Sequence, residues 1–124
     1  MARTFSNLGS VLSKRGQHEE AAADYERALS ILQKALGSAH PLVGAGFDNL
    51  ASEYHALGRI ADAEVLSRRA LAITEMALGP DHPDVGIRLN NLSHYVEESG
   101  RGPEAEALLQ RSLQITENVG SRPS

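Results

Sequence analysis

The chain has 124 residues, a formal net charge of -4 and a sequence pI of about 5.7, so it lacks the positive field that would attract nucleic acid or an anionic membrane. It contains no cysteine, which excludes disulfides, thiolate metal sites and cysteine catalysis, and which fits a reducing, cytoplasmic location. No apolar run approaches the roughly 18 residues of a membrane span. The length suffices for one compact domain or a short repeat array.

The sequence repeats itself with a displacement of 42 residues. The stretch LGSAHPLVG at 36–44 returns as LGPDHPDVG at 78–86. Between 3–44 and 45–86, 17 of 42 positions are identical without a gap. A regular displacement of this kind indicates copies of one supersecondary unit that stack to bury a continuous core. The sequence therefore predicts a repeat array.

Each unit is predicted to consist of two helices, because apolar residues recur at helical spacing and glycines follow the last apolar turn. No segment shows the alternation typical of a strand. The fold class is therefore all-α, with three helix-turn-helix units and six antiparallel helices. The helices are predicted near residues 2–15, 18–36, 41–57, 60–78, 83–99 and 103–119. The predicted organisation is a single array over 1–124, with repeat 1 at 2–40, repeat 2 at 41–82, repeat 3 at 83–119 and a tail at 120–124.

The junction sequence DHPD places Asp81, His82 and Asp84 close together, which raises the possibility of a metal site or a general base. Its counterpart SAHP keeps the histidine, His40, and the proline but lacks both acids. The shared part has a structural explanation, since proline suits the first turn of a helix and the histidine lies at or just before the cap. We therefore interpret DHPD as a junction between repeats.

The chain shows no other pattern that indicates chemistry. None of its five histidines forms an HxxxH or HExxH pair, and neither a GxSxG motif nor a glycine-rich phosphate loop is present. We therefore expect a non-catalytic protein without a metal or cofactor.

The pattern NL…G…A…RAL, with a small residue after the leucine, resembles the tetratricopeptide repeat (TPR). The usual unit has about 34 residues, whereas the longer unit and the LGxxHPxV junctions resemble the kinesin light chain type. The resemblance covers practically the whole chain. It implies an α-solenoid with a right-handed superhelix, which binds a protein or peptide partner in a concave groove lined by the first helix of each repeat.

One asparagine occupies the same position in every repeat, at Asn7, Asn49 and Asn91. Each precedes a core leucine and is predicted to point away from the buried stripe. Asparagine is a mediocre helix former, so its recurrence suggests a role. The resemblance implies that these side chains bind the backbone of an extended peptide. The alternative is that each amide bonds the neighbouring first helix and fixes repeat stacking.

The same exposed stripe is predicted to line the peptide-binding groove. Besides the asparagines, its predicted residues are Arg3, Ser10, Asp48, Ser52, Asn90 and His94. Some TPR domains clamp a terminal carboxylate with lysines, but Asp48 and Asn90 occupy the positions where a lysine is needed. We interpret the nearby Arg88 as a solvated surface residue.

The last helix is predicted to leave apolar residues, including Leu109 and Leu113, at the edge of the array. Repeat arrays need terminal units with a polar outer face. The sequence is therefore expected to be a fragment of a larger scaffold, adaptor or regulatory protein. The alternative is an assembly element that forms a homo-oligomer through its exposed terminal helices.

Overall fold

The computed structural model describes the backbone of residues 1–121 and the side chains through residue 117. Regular structure within these residues is entirely helical. The six helices are α1 (Ala2–Lys14), α2 (His18–Leu36), α3 (Pro41–Ala56), α4 (Ile60–Leu78), α5 (Pro83–Glu98) and α6 (Gly102–Ser121). They pair as α1–α2, α3–α4 and α5–α6, which confirms the predicted helical-repeat solenoid.

The predicted helix boundaries agree with the structure to within two residues. Helix α3 starts at Pro41, the proline predicted for its first turn, and α6 continues to Ser121, which lies within the predicted tail. The rest of that tail, residues 122–124, lies outside the described residues. No helix of the described chain combines the length and apolar character needed to cross a membrane.

The junctions between repeats are built from histidine caps. His40 Nδ1 accepts a hydrogen bond from the Leu42 N–H at 3.1 Å, and His82 Nδ1 accepts one from the Asp84 N–H at 3.0 Å. Each cap satisfies one of the N–H groups that have no partner within the helix. A proline follows each histidine in the first turn of α3 or α5. The structural interpretation of DHPD is therefore confirmed.

Each first helix (α1, α3 and α5) packs against the second helix of its own repeat, and α3 and α5 also pack against the second helix of the preceding repeat. Between repeats 1 and 2, Leu29 of α2 packs with Phe47 and Leu50 of α3. Between repeats 2 and 3, Leu71 of α4 packs against clusters that contain Leu92 of α5. The core is therefore continuous across repeats and leaves one side of each first helix uncovered.

Candidate peptide-binding groove

The uncovered sides of α1, α3 and α5 form one surface, which we call the groove face. Asn7 and Asn49 are exposed on this face, whereas Asn91 is half-buried. The three asparagines occupy equivalent repeat positions, so their side chains leave successive first helices at the same point. An amide offers both hydrogen-bond donors and an acceptor, which is the combination that a peptide backbone requires.

Asn91 differs from the other two asparagines because it already has a partner within the chain. Its Nδ2 donates a hydrogen bond to Asp48 Oδ2 at 2.8 Å, from α5 to α3. This contact is the one that the stacking alternative predicts. The asparagines therefore differ in their surroundings, and of the three only Asn7 and Asn49 are exposed.

The expectation that Asp48 lies exposed in the groove is wrong, because only 5% of its surface is accessible. Helix α5 covers this side of α3, and Arg88 Nη1 donates a hydrogen bond to Asp48 Oδ2 at 2.6 Å. The interpretation of Arg88 as a solvated residue is wrong for the same reason, since its side chain is largely buried. Asp48 therefore connects two repeats and is not available to a partner.

The Asp48–Arg88 pair is incompletely satisfied. Asp48 Oδ1 and Arg88 Nε are buried, and within the described residues neither has a hydrogen-bond partner. The negative charge of Asp48 also acts on Tyr95 of α5. Burial, followed by Asp48 and Glu98, raises the pKa of Tyr95 to about 12. Tyr95 therefore remains neutral in the folded protein at physiological pH.

The other predicted groove residues differ in how exposed their side chains are. Ser10 is half-buried, whereas the exposed ones are Arg3, Ser52, Asn90 and His94. The structure thus brings Asp48 and Asn91 together and adds Arg88, which the sequence analysis named but did not pair with Asp48. A signal was available in the sequence, because Arg88 lies 40 residues after Asp48, close to one repeat length.

Polar contacts join the repeats at both junctions. His18 Nδ1 lies 2.6 Å from Glu53 Oε2 between repeats 1 and 2, and His55 Nε2 lies 2.7 Å from Glu98 Oε2 between repeats 2 and 3. The first contact joins α2 to α3, and the second joins the first helices α3 and α5. Two of the five histidines therefore stabilise stacking, and two cap helices.

Charged side chains also connect α4 to the start of α6 in repeat 3. Arg68 and Arg101 both contact Glu64, and Arg68 Nη2 donates to Glu104 at 2.7 Å. Burial alone would raise the pKa of Glu64, but the hydrogen bonds from the two arginines outweigh it and lower the pKa. No group of three potential metal ligands lies together within the described residues. The arrangement provides hydrogen bonding and charge pairing.

Three equivalent helix pairs with a polar exposed face define the class of helical-repeat interaction scaffolds. The sequence profile of the tetratricopeptide repeat matches residues 1–76 and 48–118. The chain belongs to the tetratricopeptide repeat family, whose repeats mediate protein–protein interactions and are typically non-catalytic.

Solved structures extend this assignment. The chain resembles BtubC (BKLC) from P. vanneervenii with a TM-score of 0.90 and 24% identity, covering 99% of this chain and 49% of that chain. It resembles a kinesin light chain protein from Podosopora anserina, described by its nearly identical TPR-like repeats, with a TM-score of 0.84 and 28% identity over 98% of this chain and 58% of that one. MamA matches with a TM-score of 0.75 and 17% identity, over 98% and 61% of the two chains.

These similarities support a TPR protein of the kinesin light chain type, as the 42-residue unit predicts. The chain spans about half the length of the first of these structures. No curated protein matches the sequence significantly.

Proposed function

We propose that the groove face binds an extended segment of a partner protein without catalysing a reaction on it. The observation that supports this function most directly is the exposure of Asn7 and Asn49 at equivalent positions of adjacent first helices. Each amide can donate to a peptide carbonyl and accept from a peptide N–H. The buried Leu50 that follows Asn49 anchors α3 and thus the position of that amide, whereas Leu8 after Asn7 is 46% exposed and is not the core residue that the sequence predicted.

The charges around the groove face give the bound segment a preferred direction. Arg3 and Lys14 of α1 are exposed at one end, and Glu97 of α5 is exposed at the other. A segment with acidic residues over repeat 1 and basic residues over repeat 3 therefore matches the face. Exposed charges of this kind select and orient a partner more than they add affinity.

The test uses peptides selected from a phage-displayed random library against the wild-type chain, then labelled for fluorescence anisotropy. We expect the double variant Asn7→Ala/Asn49→Ala to bind them roughly thirtyfold more weakly, because it loses two hydrogen bonds of about 1 kcal/mol each, or about 2 kcal/mol in total. Its melting temperature should stay unchanged, since both side chains are exposed.

Asn91→Ala is the matched control. It removes the bond to Asp48 and should lower the melting temperature while affecting peptide affinity less. If the double variant binds the selected peptides as tightly as the wild type, the asparagines are not the binding residues and the proposal fails.

A second candidate function is self-association through the terminal helices. It is favoured by the exposure of Leu109 and Leu113 on α6 and of Leu8 and Val11 on α1. Sedimentation velocity tests it, because a strict monomer over a wide concentration range would exclude self-association.

A further inference from the structure

The outer side of α1 has apolar residues at positions that are buried in α3 and α5. Leu8 corresponds to Leu50 and Leu92, which are 5% and 0% exposed, yet Leu8 itself is 46% exposed. Met1 likewise corresponds to the buried Val43 and Val85. We call the surface of Met1, Leu8 and Val11 the α1 face. It has the composition of a repeat junction without the helix that would complete it.

The outer side of α6 is the matching half of the same junction. Leu113 corresponds to Leu29, which is buried against α3, and to Leu71, which packs against α5. Leu113 is 57% exposed, and Leu109 beside it is exposed as well. We call the surface of Leu109 and Leu113 the α6 face. The two faces are therefore complementary halves of the junction that occurs twice inside the chain.

We propose that a second copy of this chain stacks head to tail, with its α1 face on the α6 face of the first copy, in the register of the internal junctions. This inference rests on the second candidate function and specifies its geometry. The contact joins two different surfaces, so each added copy leaves one free face of each kind. Association is therefore open-ended and does not stop at a dimer.

Stacking would place repeat 3 of one copy against repeat 1 of the next copy, as repeat 2 lies against repeat 3 within the chain. Residues at equivalent positions of this new junction carry opposite charges. The contact between Glu75 and Arg111, at 3.2 Å, becomes Glu117 of one copy with Arg27 of the next. The contact between His55 and Glu98 becomes Glu97 with Lys14. Both shifted pairs combine an acid with a base, and in the second the signs are exchanged between the two sides. Charge complementarity thus supports this register.

A cavity of about 510 Å³ between α5 and α6 marks the place for an incoming side chain; its lining includes His94, Ala105 and Leu109. In repeat 2 the equivalent space holds Tyr95, which packs with Ala51 and Ala63. The same register places Val11 of a second copy in this cavity, since Val11 lies two repeat lengths before Tyr95. Valine is smaller than tyrosine, so this contact buries less surface than its internal counterpart.

The stacked junction should be weaker than the internal ones for a second reason. The two arginines that bind Glu64 and Glu104, namely Arg68 and Arg101, correspond to Gln110 and Gln17 in the shifted junction. Neutral amides form weaker hydrogen bonds to carboxylates than guanidinium groups do. Stacking should therefore depend on concentration and be reversible.

The first experiment is sedimentation velocity of the 124-residue chain over a thousandfold concentration range. We expect the weight-average sedimentation coefficient to rise continuously. Leu113→Lys should shift this rise to at least tenfold higher concentration, because it places a charge at the centre of the α6 face. Met76→Lys is the matched control, since Met76 is an exposed residue of α4 outside both faces. Circular dichroism verifies that both variants remain folded.

The second experiment tests the direction of stacking. The native chain has no cysteine, so Leu8→Cys and Leu113→Cys each introduce a single thiol. A short bis-maleimide should link the two variants when they are mixed, and neither variant to itself. Self-linking of Leu113→Cys without mixed products would overturn the head-to-tail geometry while retaining self-association. A chain that stays monomeric at every concentration would exclude both.

Discussion

At the residue scale, Asp48 is a charged residue of α3 that is buried because the next repeat packs over it. Its carboxylate accepts hydrogen bonds from Arg88 and Asn91, both in the next repeat. Removing two charges from water costs free energy that the pair recovers only in part, and two of its polar atoms have no hydrogen-bond partner among the described residues. The pair is therefore better explained as a device that fixes the position of α5 on α3 than as a major source of stability.

This interpretation predicts different effects for breaking the pair and for replacing it. Asp48→Ala leaves Arg88 without its partner and should destabilise the chain by about 2–3 kcal/mol. The double variant Asp48→Leu/Arg88→Met replaces both charges by apolar groups and should recover most of that loss. Urea unfolding followed by circular dichroism measures both values.

Arg59→Ala provides the comparison for an exposed ion pair, because Arg59 and Asp62 lie 2.8 Å apart with both side chains about half exposed. Its effect should stay below about 1 kcal/mol. If the double variant is as unstable as Asp48→Ala, the pair contributes stability of its own and the interpretation is incorrect.

At the scale of the helices, the repeats differ in how closely their paired helices approach. Gly44 of α3 and Gly86 of α5 occupy equivalent positions and both face the second helix of their repeat. A Cβ atom at Gly44 would lie 2.8 Å from Thr74 Oγ1, whereas at Gly86 the nearest atom lies 3.6 Å away. The Thr74 hydroxyl cannot yield freely, since it donates to the Ala70 carbonyl at 2.8 Å.

Alanine at these two positions should therefore have opposite effects. Gly86→Ala gains helix propensity without a clash and should stabilise the chain by up to about 1 kcal/mol. Gly44→Ala must displace Thr74 and should destabilise it by about 1–2 kcal/mol. Thermal unfolding measures the melting temperature of each variant relative to the wild type. Equal changes in melting temperature, in the same direction, would contradict this account of the packing.

The helices could be predicted because the same helix pair occurs in three repeats. The glycines after helices, the caps and the apolar stripes therefore recur at equivalent positions and indicate the same boundaries. The groove could be predicted only in part. Asn7 and Asn49 are exposed as expected, but the same stripe on α3 also contains Asp48, which α5 covers. The apolar pattern along one helix predicts which side is buried and which is exposed. It does not predict how much of the exposed side the next repeat covers, because that depends on packing between repeats.

At the scale of the whole molecule, stability should be distributed unevenly. Gly9 is the one residue that α1 buries, whereas α3 and α5 each bury seven. Repeat arrays derive stability from each unit and from contacts between neighbours, and α1 packs mainly against α2.

We therefore expect amide hydrogen exchange to be fastest in α1 and slowest in α3 and α5, measured at a concentration where the chain is monomeric. Raising the concentration should slow exchange in α1 if a second copy covers the α1 face. Equal protection of α1 and α3 in the dilute monomer would show that the chain unfolds as one unit.

The different states of the three asparagines have a consequence for the shape of a bound segment. Helices α1 and α3 both pack against α2. A spacing of about 8–10 Å between their exposed sides, as is typical of neighbouring helices, would let a segment bound as proposed meet Asn7 and Asn49 about three residues apart. A polyproline II helix repeats every three residues, at about 3.1 Å per residue, and presents identical backbone groups at that interval. A β-strand alternates every two residues and would turn opposite sides to the two amides. If the groove face binds a segment as proposed, we therefore expect that segment to adopt the polyproline II conformation and to contact mainly repeats 1 and 2.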